Sequence, residues 1–307
     1  LKGSTGTGFE KKTHVHKDWW ATTISYDDAM ENLQRSAEER EDILEPVKNI
    51  RAVVNEDGEF AFDVQGREFV PTDWSLQQFS IRSNVPSSTV IQKLRLQEDF
   101  DADDAAIMAG LANNALRRLN QDKIYRMRTY TDGTCRAFVT DRYAPIDNRW
   151  YLEQLQNNLP EGRLSHWRGD EDTIFGNILL PDTIIDYGQS DDSDYGGMMS
   201  IGNCEIGKRR IQQVPSLFRS ICLNGCIWGQ VSGSAIKKRH IGNIDLVELG
   251  GQITANINEQ LPLLPMGVRK LLELRELDCL DATMKSVFAA VAMENKFSKN
   301  EASEVLS

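Results

Sequence analysis

One stretch of the sequence concentrates positive charge. Between Ile206 and His240 the chain has seven basic residues and no Asp or Glu, although the whole protein carries a net charge of −11. The seven basic residues are Lys208, Arg209, Arg210, Arg219, Lys237, Lys238 and Arg239. Phosphate groups are attracted by local positive potential rather than by net charge. The stretch therefore predicts a surface for a nucleic-acid backbone; a basic face that serves only solubility is the alternative interpretation.

Two arginines of a predicted strand are candidates for the same surface. Arg126 and Arg128 alternate along this strand, opposite the small residues Val139 and Ala137. Arginines beside small neighbours can lie open to a ligand, and they can equally pair with acids of a packed element. The sequence leaves both interpretations open.

Further residues complete the predicted contacts to DNA. Arg142 adds charge, and Tyr143, Trp167 and Trp228 offer aromatic faces on which the bases of a single strand can stack. Stacking is tolerant of sequence because every base has a π face. We therefore expect binding of single-stranded DNA with little sequence preference and without a cofactor.

Three carboxylates support an enzymatic alternative. Asp141, Asp147 and Glu205 supply oxygen ligands of the kind that Mg²⁺ uses in phosphodiester chemistry. Each also has a structural role available, namely an ion pair for Asp141, a helix cap for Asp147 and a turn for Glu205. The candidate cluster of polar residues contains no His. Binding of a nucleic-acid backbone, the first interpretation, needs no metal.

The chain is predicted to begin with an arm, a helix and a hairpin. Residues 1–48 comprise a Gly-rich arm and a charged helix from Asp27 to Leu44. The hairpin joins Arg51–Val54 to Glu59–Phe62 through a turn that contains Gly58.

Three helices are predicted next. The first spans Asp73–Phe79, the second begins at Pro86, and the third runs from Asp101 to Asn120. Acidic residues at the start of the third helix suit the positive end of its macrodipole. Its inner face is expected at Ile107, Leu111, Leu116 and Leu119.

A second hairpin has the strongest local signal. An Asp-Gly pair lies between Lys123–Tyr130 and Cys135–Thr140, and this dipeptide is typical of a two-residue hairpin turn. With Asp and Gly as the loop residues, Met127 faces Phe138, and both are expected in the core.

The following region reads as a helix and then strands. Asp147 or Asn148 is expected to cap the helix. The predicted strands are Arg163–Arg168, Thr173–Leu180 and Gly197–Ile201.

Helices are predicted for most of the remainder. Pro215 suits the first turn of a helix that carries Arg219 and ends at Asn224-Gly225. The last helices are expected at Ile244–Leu261, Val268–Leu277 and Ala282–Asn295.

These elements predict an α+β fold, in which an antiparallel β-meander packs on helices and helical parts are added at both ends. We expect an arm and helix, then a hairpin with helices, then an α+β core and finally a helical part. Their bounds are 1–48, 49–122, 123–235 and 236–307.

Three segments together resemble a known family. They are Thr140-Asp-Arg-Tyr-Ala-Pro-Ile-Asp-Asn148, Ser200-Ile-Gly-Asn-Cys-Glu-Ile-Gly207 and Phe218-Arg-Ser-Ile-Cys-Leu-Asn-Gly225. Their combination resembles the phage/plasmid-like protein family, known as domain of unknown function 932. The resemblance covers about Ile124 to Val231. It implies a mobile element in a bacterial cytoplasm and no established reaction.

The predicted order of helix, antiparallel strands and helix is also similar to the core of the single-strand annealing recombinases of the Red-beta/RecT type. Such proteins form rings or filaments and hold DNA in a basic groove. The similarity implies a strand-annealing function, a homo-oligomer, and a phage exonuclease or a host single-strand-binding protein as partner. No membrane segment is expected. A structural or regulatory interaction protein of a mobile element is a further alternative.

Overall fold

Helices combine with mainly antiparallel strands, which confirms the predicted α+β class. The structure is a computed structural model and describes residues 22–84, 100–170, 172–184, 195–219, 226–230 and 235–276. Its helices are α1 (Tyr26–Glu39), α2 (Asp73–Ser83), α3 (Ala102–Arg118), α4 (Asn148–Asn158), α5 (Leu246–Gln260) and α6 (Leu263–Glu276). Its strands are β1 (Arg40–Pro46), β2 (Ile50–Val54), β3 (Phe60–Val64), β4 (Arg67–Pro71), β5 (Ile124–Tyr130), β6 (Thr134–Thr140), β7 (Arg163–Gly169), β8 (Thr173–Leu179), β9 (Tyr195–Cys204), β10 (Ile211–Arg219), β11 (Cys226–Gln230) and β12 (Ile236–Lys238).

The first sheet has six strands in the order β1-β5-β6-β4-β3-β2. Only the short β4–β6 pairing is parallel, and the others are antiparallel. The sheet therefore draws strands from both sides of the boundary that we expected at 122/123. Helices α2 and α3 pack on one of its faces.

Strand β1 replaces the end of a predicted helix. We expected a helix from Asp27 to Leu44, but α1 ends at Glu39 and the chain continues as β1, which pairs with β5 over seven residues. A charged segment of this kind is compatible with a helix or with a strand, and here the pairing with β5 stabilises the strand. At the other end, the Ser25 side chain caps α1 by accepting a hydrogen bond from the Asp28 backbone N–H.

The register predicted for the second hairpin is confirmed. Met127 faces Phe138, as expected, and the register shifts next to the Asp-Gly turn, between Arg128 and Thr129. Because side chains alternate across a strand, Tyr125 and Met127 enter the core that the sheet shares with α2 and α3. Arg126 and Arg128, which alternate with these two residues along β5, point to the opposite face.

The predicted inner face of α3 is right for Leu116, which is buried, and for Leu119, which packs against the core, but wrong for the other two residues. Ile107 and Leu111 are exposed at 59% and 44%. The buried face is instead made mainly of small residues, namely Ala105, Met108, Ala109, Ala112, Ala115 and Leu116. These alanines satisfy the helical spacing as well as the larger residues do, and small side chains allow a helix to pack closely on β2 and β3.

The second sheet is an antiparallel meander in the order β11-β10-β9-β8-β7, and β12 pairs with one end of β10. The helix predicted from Pro215 is wrong, because Ile211–Arg219 forms β10. Strand β12 pairs with β10 up to Gln213 and β11 pairs with it from Ser216. Pro215 lies between these two pairings, where a missing N–H disrupts neither ladder.

Helices α1, α4, α5 and α6 accompany the second sheet, and residues of all four join its core. Pro265 lies in the first turn of α6, where proline is tolerated, so this helix begins earlier than expected. The helices predicted from Pro86 and at Ala282–Asn295 lie outside the described residues. Among the described helices, none is both long and apolar enough for a membrane span.

Candidate nucleic-acid interface

An open cleft of about 620 Å³ lies where the turn between β9 and β10 meets α2 and the loop that follows β6. Among the described residues, six basic residues line it and no acidic residue does. The six, which we call the basic cleft residues, are Arg82, Arg142, Lys208, Arg209, Arg210 and Arg239. Five of them are predicted DNA contacts, and the structure brings these five together.

The turn between β9 and β10 is held by α2. The carbonyl oxygen of Ile206 accepts hydrogen bonds from Trp74 Nε1 at 2.9 Å and from Gln78 Nε2 at 2.7 Å. The next residue, Gly207, has a φ of +79°, a conformation that favours glycine. Beyond it Lys208, Arg209 and Arg210 are all exposed. The fold thus fixes the base of the turn and presents its three cations to solvent.

Aromatic rings lie under two of these cations. Lys208 Nζ lies 5.8 Å from the centre of the Trp74 ring, and the Arg209 guanidinium lies 5.6 Å from the centre of Phe175. Cations at such distances over a ring are attracted by its quadrupole. Phe175 is itself 36% exposed, so an aromatic ring is accessible beside Arg209, although Phe175 does not line the cleft.

Tyr143 lines the cleft, but it does not offer a free face. Its hydroxyl donates to the carbonyl oxygen of Glu205 at 2.8 Å, and its ring stacks on His240 with centroids 5.4 Å apart and planes 8° from parallel. The side chain is only 9% exposed. The expected stacking of a base on Tyr143 is therefore wrong in this conformation, since His240 occupies that position.

His240 is buried at the wall of the cleft. Its Nδ1 lies 3.2 Å from the carbonyl oxygen of Ala144, while Nε2 has no hydrogen-bond partner. Burial lowers the pKa of His240 to about 4. The imidazole is consequently neutral at physiological pH.

Arg128 lies in a buried ion-pair network and not in the cleft. Its Nε and Nη2 donate to the two carboxylate oxygens of Asp42 at 2.9 and 3.0 Å, and its Nη1 donates to Glu205 at 2.9 Å. Arg126 also donates to Asp42, at 3.0 Å. Of the two interpretations for these arginines, pairing with acids is the one observed, and Arg128 as a DNA contact is wrong because it is 3% exposed.

The charges in this network perturb one another. Burial alone would lower the pKa of Arg128, but its hydrogen bonds and attraction to Asp42, with Glu205 and Asp147, raise it overall. The pKa of Asp42 is lowered, because Arg128 and Arg126 outweigh the effect of burial. Arg128 and Asp42 are thus held in their charged forms, whereas burial raises the pKa of Glu205.

Glu205 joins the network to helix α4. One carboxylate oxygen accepts from Arg128 and from Arg40, and the other accepts from the backbone N–H of Asn148 at 2.6 Å. Asp147 is the N-cap residue, but its side chain makes no capping hydrogen bond and instead pairs with Arg40. Capping by the side chain of Asp147 is therefore wrong, because Glu205 supplies the carboxylate at this positive helix end.

Two of the three carboxylates that the enzymatic alternative needs as metal ligands are engaged in ion pairs. Glu205 and Asp147 are already paired with arginines, whose charge opposes that of a cation. Within the described ranges, no group of three or more His, Cys, Asp or Glu side chains could hold a metal ion. Asp141 is exposed beside Arg142.

The remaining predicted contacts lie away from the cleft or outside the description. Lys237 and Lys238 are on β12, next to the start of β10, but do not line the cleft. Arg219 ends β10, about 27 Å along the strand from Ile211 at the usual rise per residue. The side chains of Arg219 and Trp228 lie outside the described residues. Trp167 is half-buried and packs against the core.

Sequence reasoning missed Arg82 and Trp74. Arg82 comes from a helix more than 100 residues before the basic turn. Its Nη1 donates a hydrogen bond to the backbone carbonyl oxygen of Gln78 at 3.0 Å, which holds the side chain in place. Only the tertiary contact of α2 with the turn brings these residues to the cleft. No local pattern in the sequence could have indicated it.

Comparisons with protein-family models, with curated proteins and with solved structures each gave no match to this chain.

Proposed function

We propose that this protein binds single-stranded DNA in the basic cleft and anneals complementary strands. The observation that carries the proposal is the convergence of six basic residues from separate parts of the chain on one cleft, with no acidic residue among the described residues that line it. The protein as a whole is acidic, with a net charge of −11, so this arrangement is not a by-product of composition.

Phosphate is the ligand that such a cleft favours. Like charges held close together repel one another, and an anion that binds among them removes this repulsion. The guanidinium groups of Arg142, Arg210 and Arg239 can each donate two parallel hydrogen bonds to a phosphate. A polynucleotide supplies several phosphates in a row, and each one neutralised releases condensed counterions.

The size of the cleft and an exposed aromatic ring beside Arg209 favour a single strand. A volume of about 620 Å³ is in the range of sites that enclose one small ligand, which suits a flexible strand with unpaired nucleotides. Phe175 lies beside Arg209 and is 36% exposed, so a base can stack next to a bound phosphate. Basic grooves with aromatic platforms are typical of proteins that bind single strands.

The annealing part of the proposal rests on architecture and charge, and the family resemblance supports only the setting of a mobile element. Four helices accompany an antiparallel meander, an arrangement similar to the annealing recombinases, although the helix expected to carry Arg219 is a strand. We propose a homo-oligomer that acts in a bacterial host cell for a phage or plasmid. A phage exonuclease or a host single-strand-binding protein would then supply the single strands.

An annealing assay tests this proposal. Two complementary oligonucleotides, labelled with a donor and an acceptor fluorophore, are mixed with and without the protein at low salt. We expect the protein to accelerate pairing severalfold, because a neutralised backbone reduces repulsion between strands. The acceleration should persist with a chelator in place of Mg²⁺.

No acceleration by a protein that binds both strands would contradict annealing and leave DNA binding standing. Shortening of the strands that depends on Mg²⁺ would favour the enzymatic alternative instead.

A further inference from the structure

Helix α3 presents apolar side chains to solvent on the side opposite its buried alanines. Ile107 is 59% exposed and Leu111 is 44% exposed, and Gly110 between them is exposed as well. A Cβ added to Gly110 would meet no atom within 4 Å. Large apolar side chains beside an open glycine form a surface on which a second helix can pack closely.

Opposite charges lie at equal distances from the middle of this surface. Gly110 is the central residue of α3, and exposed Asp103 and exposed Arg117 lie seven residues before and after it. Seven residues are close to two helical turns, so the three positions share one face. Each charged residue is about 10 Å along the helix axis from the glycine. We call this surface, with Ile107 and Leu111, the outer face of α3.

The outer face is complementary to itself in the antiparallel direction. When a second copy of α3 lies antiparallel with the two glycines side by side, Asp103 of each copy is opposite Arg117 of the other. A two-fold axis through this contact also places Ile107 and Leu111 of both copies on the same side of the helix pair. Contacts of this kind, in which both copies use the same surface, are the commonest in homo-oligomers.

We propose that two copies of this protein associate through the outer faces of α3, antiparallel and with Gly110 at the two-fold axis. Four apolar side chains then cover one another, and an ion pair forms on each side of them. A contact between single helices is smaller than a standard interface, so the dimer is weak. The inference goes beyond the proposed function and needs no DNA.

A cysteine at the axis tests the arrangement. In Gly110→Cys the two thiols face each other between helices whose axes are about 8–10 Å apart, which is within reach of a disulfide. Ala106→Cys is the control, because this exposed position is one turn away and its two copies lie about 12 Å apart along the helix pair. We expect mild oxidation without DNA to link Gly110→Cys at least tenfold faster, as measured on non-reducing gels.

The wild-type protein, with its own five cysteines, provides the background rate. Equal rates for the two variants would indicate chance collision and overturn the inference. A rate for Gly110→Cys no higher than the background would also overturn it, and would leave the outer face to another partner.

Charge reversal tests the two ion pairs in the Gly110→Cys protein. Asp103→Arg places two pairs of like charges in the contact, and so does Arg117→Asp. Each exchange should therefore slow the linkage about tenfold. Mixing the two variants should restore the rate to within about threefold, because each copy then faces the opposite charge on the other.

This rescue separates the interface from an effect on the helix alone. Asp103 and Arg117 also suit the macrodipole of α3, and reversal of either charge can weaken the helix. Mixing cannot repair such damage within one chain. Absence of rescue between two variants that are folded by circular dichroism would contradict the ion pairs, while the cysteine comparison tests the interface without these exchanges. Because all these measurements omit DNA, a failure to bind DNA would refute the proposed function and leave this interface standing.

Discussion

Replacing Lys208, Arg209 and Arg210 together by Ala is expected to weaken the binding of single-stranded DNA by up to about 100-fold. Exposed ion pairs contribute up to about 1 kcal/mol each, and three of them correspond to two powers of ten in the dissociation constant. The plot of log affinity against log salt should become shallower by about two units, since each phosphate contact on a single strand contributes about 0.7. Fluorescence anisotropy at several salt concentrations measures both quantities.

A variant with the same change of charge provides the control. Arg118, Arg269 and Lys270 are exposed on α3 and α6 and do not line the cleft. Their replacement by Ala should alter the affinity less than about threefold, because their long-range effect is screened by salt. Equal losses in the two variants would show that net charge, and not the cleft, governs binding.

The exchange Glu205→Gln is expected to lower the free energy of unfolding by about 3 kcal/mol, because it removes one of the carboxylates that pair with the buried Arg128 and with Arg40. Glu205 is 1% exposed, accepts hydrogen bonds from Arg40 and Arg128, and contacts the N-terminus of α4. Glutamine retains the shape and an acceptor but not the charge. Denaturation in urea, followed by circular dichroism, measures the change.

A surface ion pair is the appropriate comparison. Glu153 accepts from Arg149 one helical turn earlier in α4 and is 42% exposed. Glu153→Gln should change the free energy of unfolding by less than about 0.5 kcal/mol. Similar values for both exchanges would contradict a stabilising role for the buried network.

The elements fixed by local chemistry could be predicted from the sequence. The Asp-Gly turn located the second hairpin, in which Met127 lies opposite Phe138, and Asp101 caps α3 by accepting from two backbone N–H groups. The basic stretch also indicated five of the six basic cleft residues. In each case the relevant partners are close together in the chain.

Errors arose where a distant partner decides the structure. Arg128 pairs with Asp42, 86 positions earlier, so its exposure could not be read from its own strand. Pro215 has a normal signal for a helix start, yet its place between two partner strands makes it compatible with a sheet. The carboxylate that caps α4 comes from Glu205, far along the chain. Tertiary pairing overrides the local preference at all three sites.

The affinity of the wild-type protein for single-stranded DNA as a function of salt tests the central claim most directly. A labelled oligonucleotide of about 16 nucleotides, the upper end of the usual site size, is titrated between about 50 and 200 mM salt. If the six basic cleft residues each neutralise one phosphate, log affinity falls with log salt with a slope of about −4. A slope near zero, or no more binding at low salt than an unrelated acidic protein shows, would contradict the account.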